Sequence, residues 1–421
     1  MKILNISTHS SGGAGQSALF FHNSLLLASV ESYFLTTQIP KIETKNVLIY
    51  HFHKSFVASI SYFIHKLVSK YIVNKSYNFK IDLNKDQVSV AEIGRLVAIR
   101  PDIIVLHWVS DFLNTSLIVQ LFKYYQVPIV WRVNDMNAIT GGCHYAFGCE
   151  KYKSSCHRCP ALLPSNWLDV AKIQHAHKRN VFKNIDIRII ASCLMIENQI
   201  NKSSLFLNKP IYFIGISIDR TIFKYQDKLT IRSKYEINSL KKVIFFGSTD
   251  LTDSRKGMIY LIETLKILAQ KQRISKDNIL LVYAGKEIIS SELPFESLFL
   301  GYIKYTKILA QVYAMSDLFV CPSIEDSGPI MIAESIACGT PVVSFEMGLA
   351  LDFVISGKTG YSVPLRNIEL LAERIEDVIL MDTNAHKEIS DNCIRLANEK
   401  LNPETEISQY VTLFHTIKKH G

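Results

Sequence analysis

The fold is decided by the stretch Cys321-Pro322-Ser323-Ile324-Glu325-Asp326-Ser327-Gly328-Pro329-Ile330-Met331-Ile332-Ala333-Glu334-Ser335-Ile336-Ala337-Cys338-Gly339-Thr340-Pro341-Val342-Val343. An apolar run ends at Cys321, and a polar loop with two carboxylates follows it. Pro329 suits the first turn of a helix, and Gly339 is typical of the residue that ends one. The stretch therefore predicts a strand, a loop, a helix and a second strand, with Glu334 on a largely buried helix.

The same alternation of short apolar runs and helical patterns extends along most of the 421 residues. It is typical of βαβ units and parallel sheets, and two such series predict an α/β chain with two Rossmann-like, doubly wound domains. We expect an N-terminal domain over 1–205 and a C-terminal domain over 206–400. Residues 401–421 should form a helix that packs back across the domains. The predicted strands are Ile3–Ile6, Val47–Tyr50, Ile103–Leu106, Ile129–Trp131, Ile187–Ala191, Lys242–Phe246, Ile279–Tyr283, Leu318–Cys321 and Val342–Ser344.

Composition narrows the classes of protein. No run reaches the roughly 18 to 20 apolar residues that span a bilayer, and Met1–Ser7 turns polar too soon for a signal peptide. We therefore expect a cytoplasmic protein. The formal net charge of +9 fits anionic partners, which include nucleotide phosphates, a membrane surface and nucleic acid.

Two glycine-containing loops follow predicted strands. Ser10–Ser17 contains Gly12 and Gly13 and opens a helix, where free amide groups favour an anion. No Gly-Lys-Ser/Thr follows, so this is not a P-loop. We interpret the segment as a ligand-facing loop, with a purely structural turn as the alternative.

The second loop begins at Phe246-Gly247 and ends at Arg255-Lys256-Gly257, before a predicted helix. Two cations at a helix N-terminus oppose the helix dipole. A bound diphosphate would offset that cost, because arginine can bind two phosphate oxygens and lysine supplies a point charge. The alternative is solvated surface charge.

The deciding stretch offers a matching set of groups. A carboxylate at Glu334 could accept hydrogen bonds from both hydroxyls of a ribose, and amides at the helix start could meet a sugar or a phosphate. An unpaired glutamate on a buried helix is costly, which argues against an incidental surface position.

These residues resemble glycosyltransferase family 4, the retaining enzymes of the GT-B fold. The family pattern reads Pro-Ser-x-x-Glu, a glycine turn and Glu-Ala-x-Ala-x-Gly-x-Pro-Val-Val. The resemblance covers nearly the whole chain. It rests on Pro322-Ser323, Glu325, Gly328, Glu334, Ala337, Gly339–Val343, Gly12-Gly13, Arg255–Gly257 and Ile218-Asp219 followed by Phe223.

The resemblance implies roles for particular residues. Glu334 would hold the ribose, and Arg255 and Lys256 would bind the diphosphate and stabilise its charge as it leaves. Gly247 and the backbone around Ser327, Gly328, Pro329 and Ile330 would contact the donor, and Gly12 and Gly13 would reach the diphosphate when a central cleft closes. Catalysis in this family requires no metal cofactor.

Two departures affect the sugar end of the site. The family's two glutamates have seven residues between them, a spacing that Asp326 and Glu334 reproduce and Glu325 and Glu334 do not. The first acidic role could therefore fall to either Glu325 or Asp326. Many relatives also carry His-Asp where this chain has Asn134-Asp135, on the sugar and acceptor side.

Four cysteines lie in the loop over 140–160. Cys156-x-x-Cys159 has metal-ligand spacing, and Cys143 and Cys149 could complete a tetrahedral structural zinc site, with His144 and His157 as alternative ligands. The alternative roles for these cysteines are redox chemistry and free thiols. The Thr-Gly-Gly-Cys-His-Tyr segment of this loop is similar to a subset of sugar transferases of polysaccharide gene clusters.

Between His51 and Lys80 there are five lysines and no acidic residue, and Phe56, Ile60, Phe63, Leu67 and Tyr71 recur at helical spacing. A basic amphipathic helix suits an anionic membrane surface, and the alternative is a helix packed on the N-terminal sheet.

The leading hypothesis is a retaining hexosyl- or N-acetylhexosaminyltransferase that uses a UDP- or GDP-sugar and a glycan or lipid-linked acceptor in bacterial surface polysaccharide biosynthesis. It would be cytoplasmic, with peripheral contact to the inner face of the membrane. The alternatives are an inactive transferase-like protein that binds sugar nucleotides, a sugar-nucleotide epimerase and a zinc-bearing nucleic-acid binder. The scattered charge and the intact donor segment argue against nucleic acid.

Overall fold

The structure is a computed structural model that describes residues 1–53, 56–82, 87–163, 169–271, 273–289 and 292–420. The chain divides into two compact units. The first comprises residues 1–192, 196–214 and 406–421, and the second comprises residues 193–195 and 215–405.

The first unit contains a parallel sheet of seven strands in the order β3-β2-β1-β4-β5-β6-β7. β4 and β5 are buried along their whole length, as their runs of isoleucine and valine predict. The strands are β1 (Lys2–Ile6), β2 (Glu31–Thr36), β3 (Val47–Ile49), β4 (Ile103–Leu106), β5 (Ile129–Val133), β6 (Ile187–Ala191) and β7 (Ile211–Phe213).

The second unit contains a parallel sheet of six strands in the order β10-β9-β8-β11-β12-β13. Its strands are β8 (Lys242–Gly247), β9 (Ile279–Ala284), β10 (Glu296–Phe299), β11 (Leu318–Cys321), β12 (Val342–Phe345) and β13 (Gly360–Val363).

Helices connect these strands. Short 3-10 turns lie at Met136–Ile139, Lys151–Lys153, Ser254–Lys256 and Lys276–Asn278. The helices are α1 (Gly12–Leu27), α2 (Phe56–Ile72), α3 (Val90–Val97), α4 (Thr115–Tyr125), α5 (Val170–Phe182), α6 (Leu194–Lys202), α7 (Lys228–Lys234), α8 (Met258–Gln270), α9 (Thr306–Met315), α10 (Ile330–Ala337), α11 (Ala350–Phe353), α12 (Ile368–Ile379), α13 (Thr383–Lys400) and α14 (Pro403–His420).

Strand order reverses once in each sheet, between β1 and β4 in the first and between β8 and β11 in the second. Loops that leave neighbouring strands at such a point run in opposite directions, which opens a crevice at the carboxyl ends of the strands. Both glycine loops of the sequence follow a strand at a reversal point.

The domain boundary lies later than the expected break after residue 205. β7 pairs with β6 at the edge of the first sheet, so the chain stays in the first unit as far as Ile214. Residues 401–405 belong to the second unit, and α14 returns to the first.

α14 buries an apolar face in the core of the first unit. Tyr410 lies edge to face with Phe21 of α1, with ring centroids 4.6 Å apart. Glu406 accepts a hydrogen bond from Arg132 at 2.8 Å, and both side chains are almost fully buried. The helix is therefore an integral part of the N-terminal unit.

Among the described residues, no helix is both long and apolar enough to cross a bilayer.

Candidate functional site

The reversal point of the second sheet gathers the predicted donor residues. β8 and β11 are neighbours in the sheet, so the loop after Gly247 and the loop after Cys321 leave its carboxyl edge side by side. Backbone bonds join the two loops, with the amide of Ile324 donating to the carbonyl oxygen of Arg255 at 2.9 Å. Two segments nearly 70 positions apart in sequence thus form one surface.

Gly257 permits this close approach. Its φ is +72°, and a Cβ on it would lie 1.8 Å from the carbonyl oxygen of Pro322. Only glycine fits such a position without moving the backbone. The glycine of Arg255-Lys256-Gly257 therefore lets the cationic turn touch the acidic loop.

Both cations are paired with carboxylates. Arg255 donates through Nε to Oδ1 of Asp253 at 3.1 Å, and Lys256 forms an ion pair with Asp326. The two cationic side chains are partly buried, about a fifth to a quarter exposed. A ligand phosphate that binds here would compete with these two carboxylates.

The two acidic candidates of the loop, Glu325 and Asp326, are both buried. Asp326 contacts Lys256 and accepts a hydrogen bond from the amide of Gly328 at 3.1 Å. The ion pair at the cationic turn therefore belongs to the residue that also has the seven-residue spacing to Glu334.

Glu334 lies on α10 and is only 8% exposed. Tyr313 of α9 donates its hydroxyl to Oε2 of Glu334 at 3.1 Å. Burial raises the pKa of Glu334 to about 7, although the hydrogen bond from Tyr313 acts in the opposite direction. The carboxyl thus changes charge near neutral pH.

The remaining donor candidates lie at the same edge. Gly247 is the last residue of β8, Ser327 and Pro329 are buried, and Gly328 is exposed. Pro329 is the N-cap of α10, which begins at Ile330. The sequence signal did not reveal Tyr313, because that partner of Glu334 comes from a different helix and carries no motif of its own.

In the first unit, Gly12 and Gly13 open α1 after β1. Gly12 has a φ of +72°, and a Cβ on Gly13 would meet no atom within 4 Å. Ser11, the N-cap, makes no side-chain capping bond, so the first amides of α1 lack that partner. The geometry suits a loop that can meet an anion.

Asn134 and Asp135 follow β5 and take part in a buried polar cluster. His144 Nδ1 lies 2.6 Å from Oδ2 of Asp135, and Trp108 Nε1 lies 3.2 Å from the same ring nitrogen. Within the described residues, neither Asn134 Nδ2 nor His144 Nε2 has a hydrogen-bond partner. The sequence offered His144 as an alternative metal ligand, whereas the structure places its ring against Asp135.

The four cysteines of the 140–160 loop line a single small cavity together with Thr140, Ala146, Lys151 and Tyr152. All four thiols are free. In the described part of the chain, no three side chains of histidine, cysteine, aspartate or glutamate are already gathered as metal ligands.

Comparison with known families gives a match for the second unit. Residues 227–395 match the model of the family described as "Glycosyl transferases group 1". This range begins next to α7 and ends within α13, so it contains Arg255, Lys256 and Glu334.

Two curated relatives match at low identity. The N-acetyl-alpha-D-glucosaminyl L-malate synthase of Bacillus anthracis is 24% identical over 217 residues, which cover 50% of this chain and 55% of that protein. The capsular polysaccharide biosynthesis glycosyltransferase CapM of Staphylococcus aureus is 22% identical over 247 residues, which cover 57% and 62%. The chain thus spans a little over half the length of these relatives.

A solved structure of HepE from Anabaena, in complex with UDP-glucose, matches 99% of this chain and 100% of its own with a TM-score of 0.64 and 16% identity. The fold is therefore the GT-B fold, with two Rossmann-like parallel sheets. Within its second unit, residues 227–395 match the group 1 glycosyl transferase model.

Proposed function

We propose that the protein is a retaining glycosyltransferase that transfers a hexose or an N-acetylhexosamine from a UDP- or GDP-sugar to a glycan or lipid-linked acceptor. The process would be the biosynthesis of a bacterial surface polysaccharide. The observation that carries the proposal is the set of groups at the reversal point of the second sheet, where a carboxyl of pKa about 7 and two cations share one edge.

Each of these groups has a part in the proposed reaction. Glu334, when ionised, accepts hydrogen bonds from the ribose hydroxyls. The acceptor hydroxyl oxygen forms a bond to the anomeric carbon while the bond between that carbon and the diphosphate oxygen breaks, with its electron pair on the diphosphate. The hydroxyl proton passes to the leaving diphosphate oxygen. Arg255 and Lys256 stabilise that charge, and amides of the loop over 327–330 contact the donor. Asp253 and Asp326 hold the two cations in place before the donor arrives.

The relatives support the class of substrate. The HepE structure contains UDP-glucose, and CapM is named for capsular polysaccharide biosynthesis. The synthase from Bacillus anthracis is named for an N-acetylglucosaminyl product. These names support a nucleotide sugar as donor and a surface glycan as product.

On the acceptor side, we assign a role to the first unit. The buried cluster of Asp135, His144 and Asn134 lies next to a small cavity lined by Trp108 and Ser110. Unpartnered polar atoms at the end of a central strand are suited to meet hydroxyl groups of a sugar. We place the acceptor beside this cluster.

A panel of UDP- and GDP-sugars tests the proposal by thermal shift, because a ligand that binds only the folded state raises the unfolding temperature. We expect one nucleotide family to stabilise the protein and Glu334→Ala to abolish the shift. The matched control is Glu388→Ala, an exposed glutamate of α13. No stabilisation by any nucleotide sugar would refute the proposal.

An assay of turnover distinguishes the remaining functional hypotheses. Release of nucleotide with sugar transfer to an acceptor supports the transferase. Donor binding without transfer would indicate the inactive sugar-nucleotide-binding protein, and conversion of one nucleotide sugar into another would indicate an epimerase.

We also propose that α2 contacts an anionic membrane surface. Of its described side chains, Ile60, Phe63, Leu67 and Tyr71 are exposed and recur at helical spacing. Lys66 and Lys70 are exposed between them. Exposed apolar side chains flanked by cations fit a surface of acidic lipid headgroups. Lys54 and the side chains of residues 56–59 lie outside the described part.

Flotation with vesicles of phosphatidylglycerol and phosphatidylcholine tests this contact. We expect wild type to float with anionic vesicles and the Lys66→Glu/Lys70→Glu variant to stay in the pellet. The control is Lys266→Glu/Lys307→Glu, which makes the same charge change on exposed lysines of the second unit. Equal flotation of both variants would refute a membrane role for α2, as would wild type that self-associates through this face without binding lipid.

A further inference from the structure

The four-cysteine cavity has a composition and size that suit a metal ion. Cys143 and Cys149 come from one loop segment, and Cys156 and Cys159 come from the next. The cavity between them has a volume of about 20 Å³. One water-sized body needs about 10–15 Å³, so a single ion fits there.

The spacing of one pair matches metal coordination. Sγ of Cys143 lies 3.9 Å from Sγ of Cys159. A disulfide requires about 2.05 Å, whereas two thiolates on a tetrahedral zinc ion at about 2.3 Å lie roughly 3.8 Å apart. The pair thus already has the separation of two ligands of one zinc ion.

The backbone around Cys156-His157-Arg158-Cys159 is shaped to present its thiols. Cys156 and Arg158 have φ values of +53° and +48°, a left-handed conformation that is unfavourable for a non-glycine residue. The amide of Gly141 donates to Sγ of Cys156 at 3.2 Å, and the amide of Ala161 hydrogen-bonds Cys159. Amide donors of this kind stabilise thiolates rather than thiols.

Cations lie close to the cavity. Lys151 lines it, and the buried ammonium of Lys178 donates to the carbonyl oxygens of Asn137 and Thr140 at 2.6 and 3.1 Å. Four thiolates around one divalent ion have a net charge of −2. These two lysines would offset that charge inside the loop.

We propose that Cys143, Cys149, Cys156 and Cys159 bind one structural Zn²⁺ tetrahedrally. Cys143 and Cys159 already have the required separation. Cys149 and Cys156 line the same cavity and would supply the other two ligands.

Zinc would also act on the cluster at Asp135. Cys143 is directly followed by His144, whose carbonyl oxygen accepts a bond from the amide of Met136 at 3.1 Å and whose ring contacts Asp135. A metal that fixes Cys143 therefore fixes His144, and His144 in turn positions Asp135. This consequence rests on the proposed function, whereas metal binding does not.

Elemental analysis of the purified full-length protein tests the site. We expect about one zinc per chain in wild type after dialysis against a weak chelator, and loss of zinc in Cys156→Ser/Cys159→Ser. The control is Cys393→Ser, which alters a buried lone cysteine of the second unit and should retain zinc. Metal-free wild type that keeps its fold would overturn the proposal.

Cobalt reconstitution gives a readout on wild type that needs no folded variant. Tetrahedral thiolate coordination produces intense visible absorption and sulfur-to-cobalt charge-transfer bands. Their absence, or intact-protein mass showing disulfides among these cysteines, would reject the zinc site in favour of redox chemistry. Full reactivity of all four thiols in untreated protein would likewise reject it.

Measurements of donor binding distinguish a failure of the zinc proposal from a failure of the proposed function. We expect the zinc-free cysteine variant to retain nucleotide binding in the second unit while the Michaelis constant for the acceptor rises. A zinc-bearing protein that binds no nucleotide would contradict the proposed function only. A metal-free protein that transfers sugar normally would contradict the zinc site only.

Discussion

The charge state of Glu334 should control how tightly the donor binds, and pH is the perturbation that reveals it. The pKa of this carboxyl is about 7, because burial raises it more than the hydrogen bond from Tyr313 lowers it. Only the ionised carboxylate can accept hydrogen bonds from two ribose hydroxyls at once. Donor affinity should therefore rise as pH increases through 7.

The magnitude follows from the ionised fraction. At pH 5.5 a group of pKa 7 is ionised to roughly 3%, and a ligand that needs the ionised form binds more weakly by that fraction. The upper limit for wild type is thus about a 30-fold weaker affinity at pH 5.5 than at pH 8.5. UDP-glucose is the suitable probe, because glucose esterifies the terminal phosphate, which in free UDP has a second ionisation at about pH 6.

Isothermal titration calorimetry at several pH values measures this dependence. Glu334→Gln should bind weakly with little change across the range, since an amide neither ionises nor accepts two hydroxyls equally well. An affinity of wild type that is flat between pH 5.5 and 8.5 would refute the ribose role, and so would the same slope in the glutamine variant.

The same pKa predicts a stability effect of known sign. The folded state binds the proton of Glu334 more tightly than the unfolded chain, whose glutamate has a pKa of about 4.5. Stability is therefore lost as pH rises from about 4.5 to 7, by about 3 kcal/mol at most. Buried histidines such as His22 and His175, whose pKa values burial lowers, act in the opposite direction. The difference between wild type and Glu334→Gln in urea unfolding isolates the glutamate.

The remaining predictions concern single positions. Gly257→Ala should lower the free energy of unfolding of the second unit, measured in urea, by more than Gly357→Ala does. Both glycines have φ near +72°, but only a Cβ on Gly257 would clash with Pro322. Equal losses of unfolding free energy in the two variants would contradict the close approach of Gly257 to Pro322. Glu406→Ala should cost about 3–5 kcal/mol in the unfolding of the first unit, since it leaves Arg132 buried without its partner, whereas the exposed Glu404→Ala should cost little. Lys256→Ala should lower kcat by about 10²–10³-fold, because it removes a charge that stabilises the leaving diphosphate. The control Lys266→Ala changes an exposed lysine of α8 and should leave kcat unchanged. An unaltered kcat in Lys256→Ala would show that Lys256 has no part in catalysis.

Sequence patterns located most central strands and the edge strand β3, but they missed β2 and the edge strands β7, β10 and β13. β4, β5, β8, β9, β11 and β12 are wholly or mostly buried and appear as apolar runs. β10 is exposed along most of Glu296–Phe299, because an edge strand is paired on one side only. Its composition therefore carries little signal, and the sequence did not predict it.

Helix limits depended on local chemistry that the sequence only partly discloses. α4 starts at Thr115, because the side chain of Asn114 accepts a bond from the amide of Leu117 at 2.8 Å. The helix predicted after Arg255-Lys256-Gly257 starts at Met258, since Gly257 in its left-handed conformation separates it from a 3-10 turn.

The candidate site shows the same division between local and distant information. The sequence itself shows the arginine, lysine and glycine at 255–257 and the carboxylate at 334. It does not show which residues these side chains contact. Lys256 pairs with a residue 70 positions away, and Glu334 bonds to a tyrosine on another helix. Such partners depend on the order of strands in the sheet, which no local pattern encodes.

Charge balance in the second unit follows from these partners. Asp253 offsets Arg255, Asp326 offsets Lys256, and the raised pKa leaves Glu334 largely neutral below pH 7. Without a ligand, the site thus avoids uncompensated buried charge, which would be costly. In the proposed function, a diphosphate sugar would change all three groups together, because its phosphates would compete for the two cations and its ribose would favour the ionised glutamate. Donor binding should therefore release a proton from Glu334, which follows from its pH dependence by linkage.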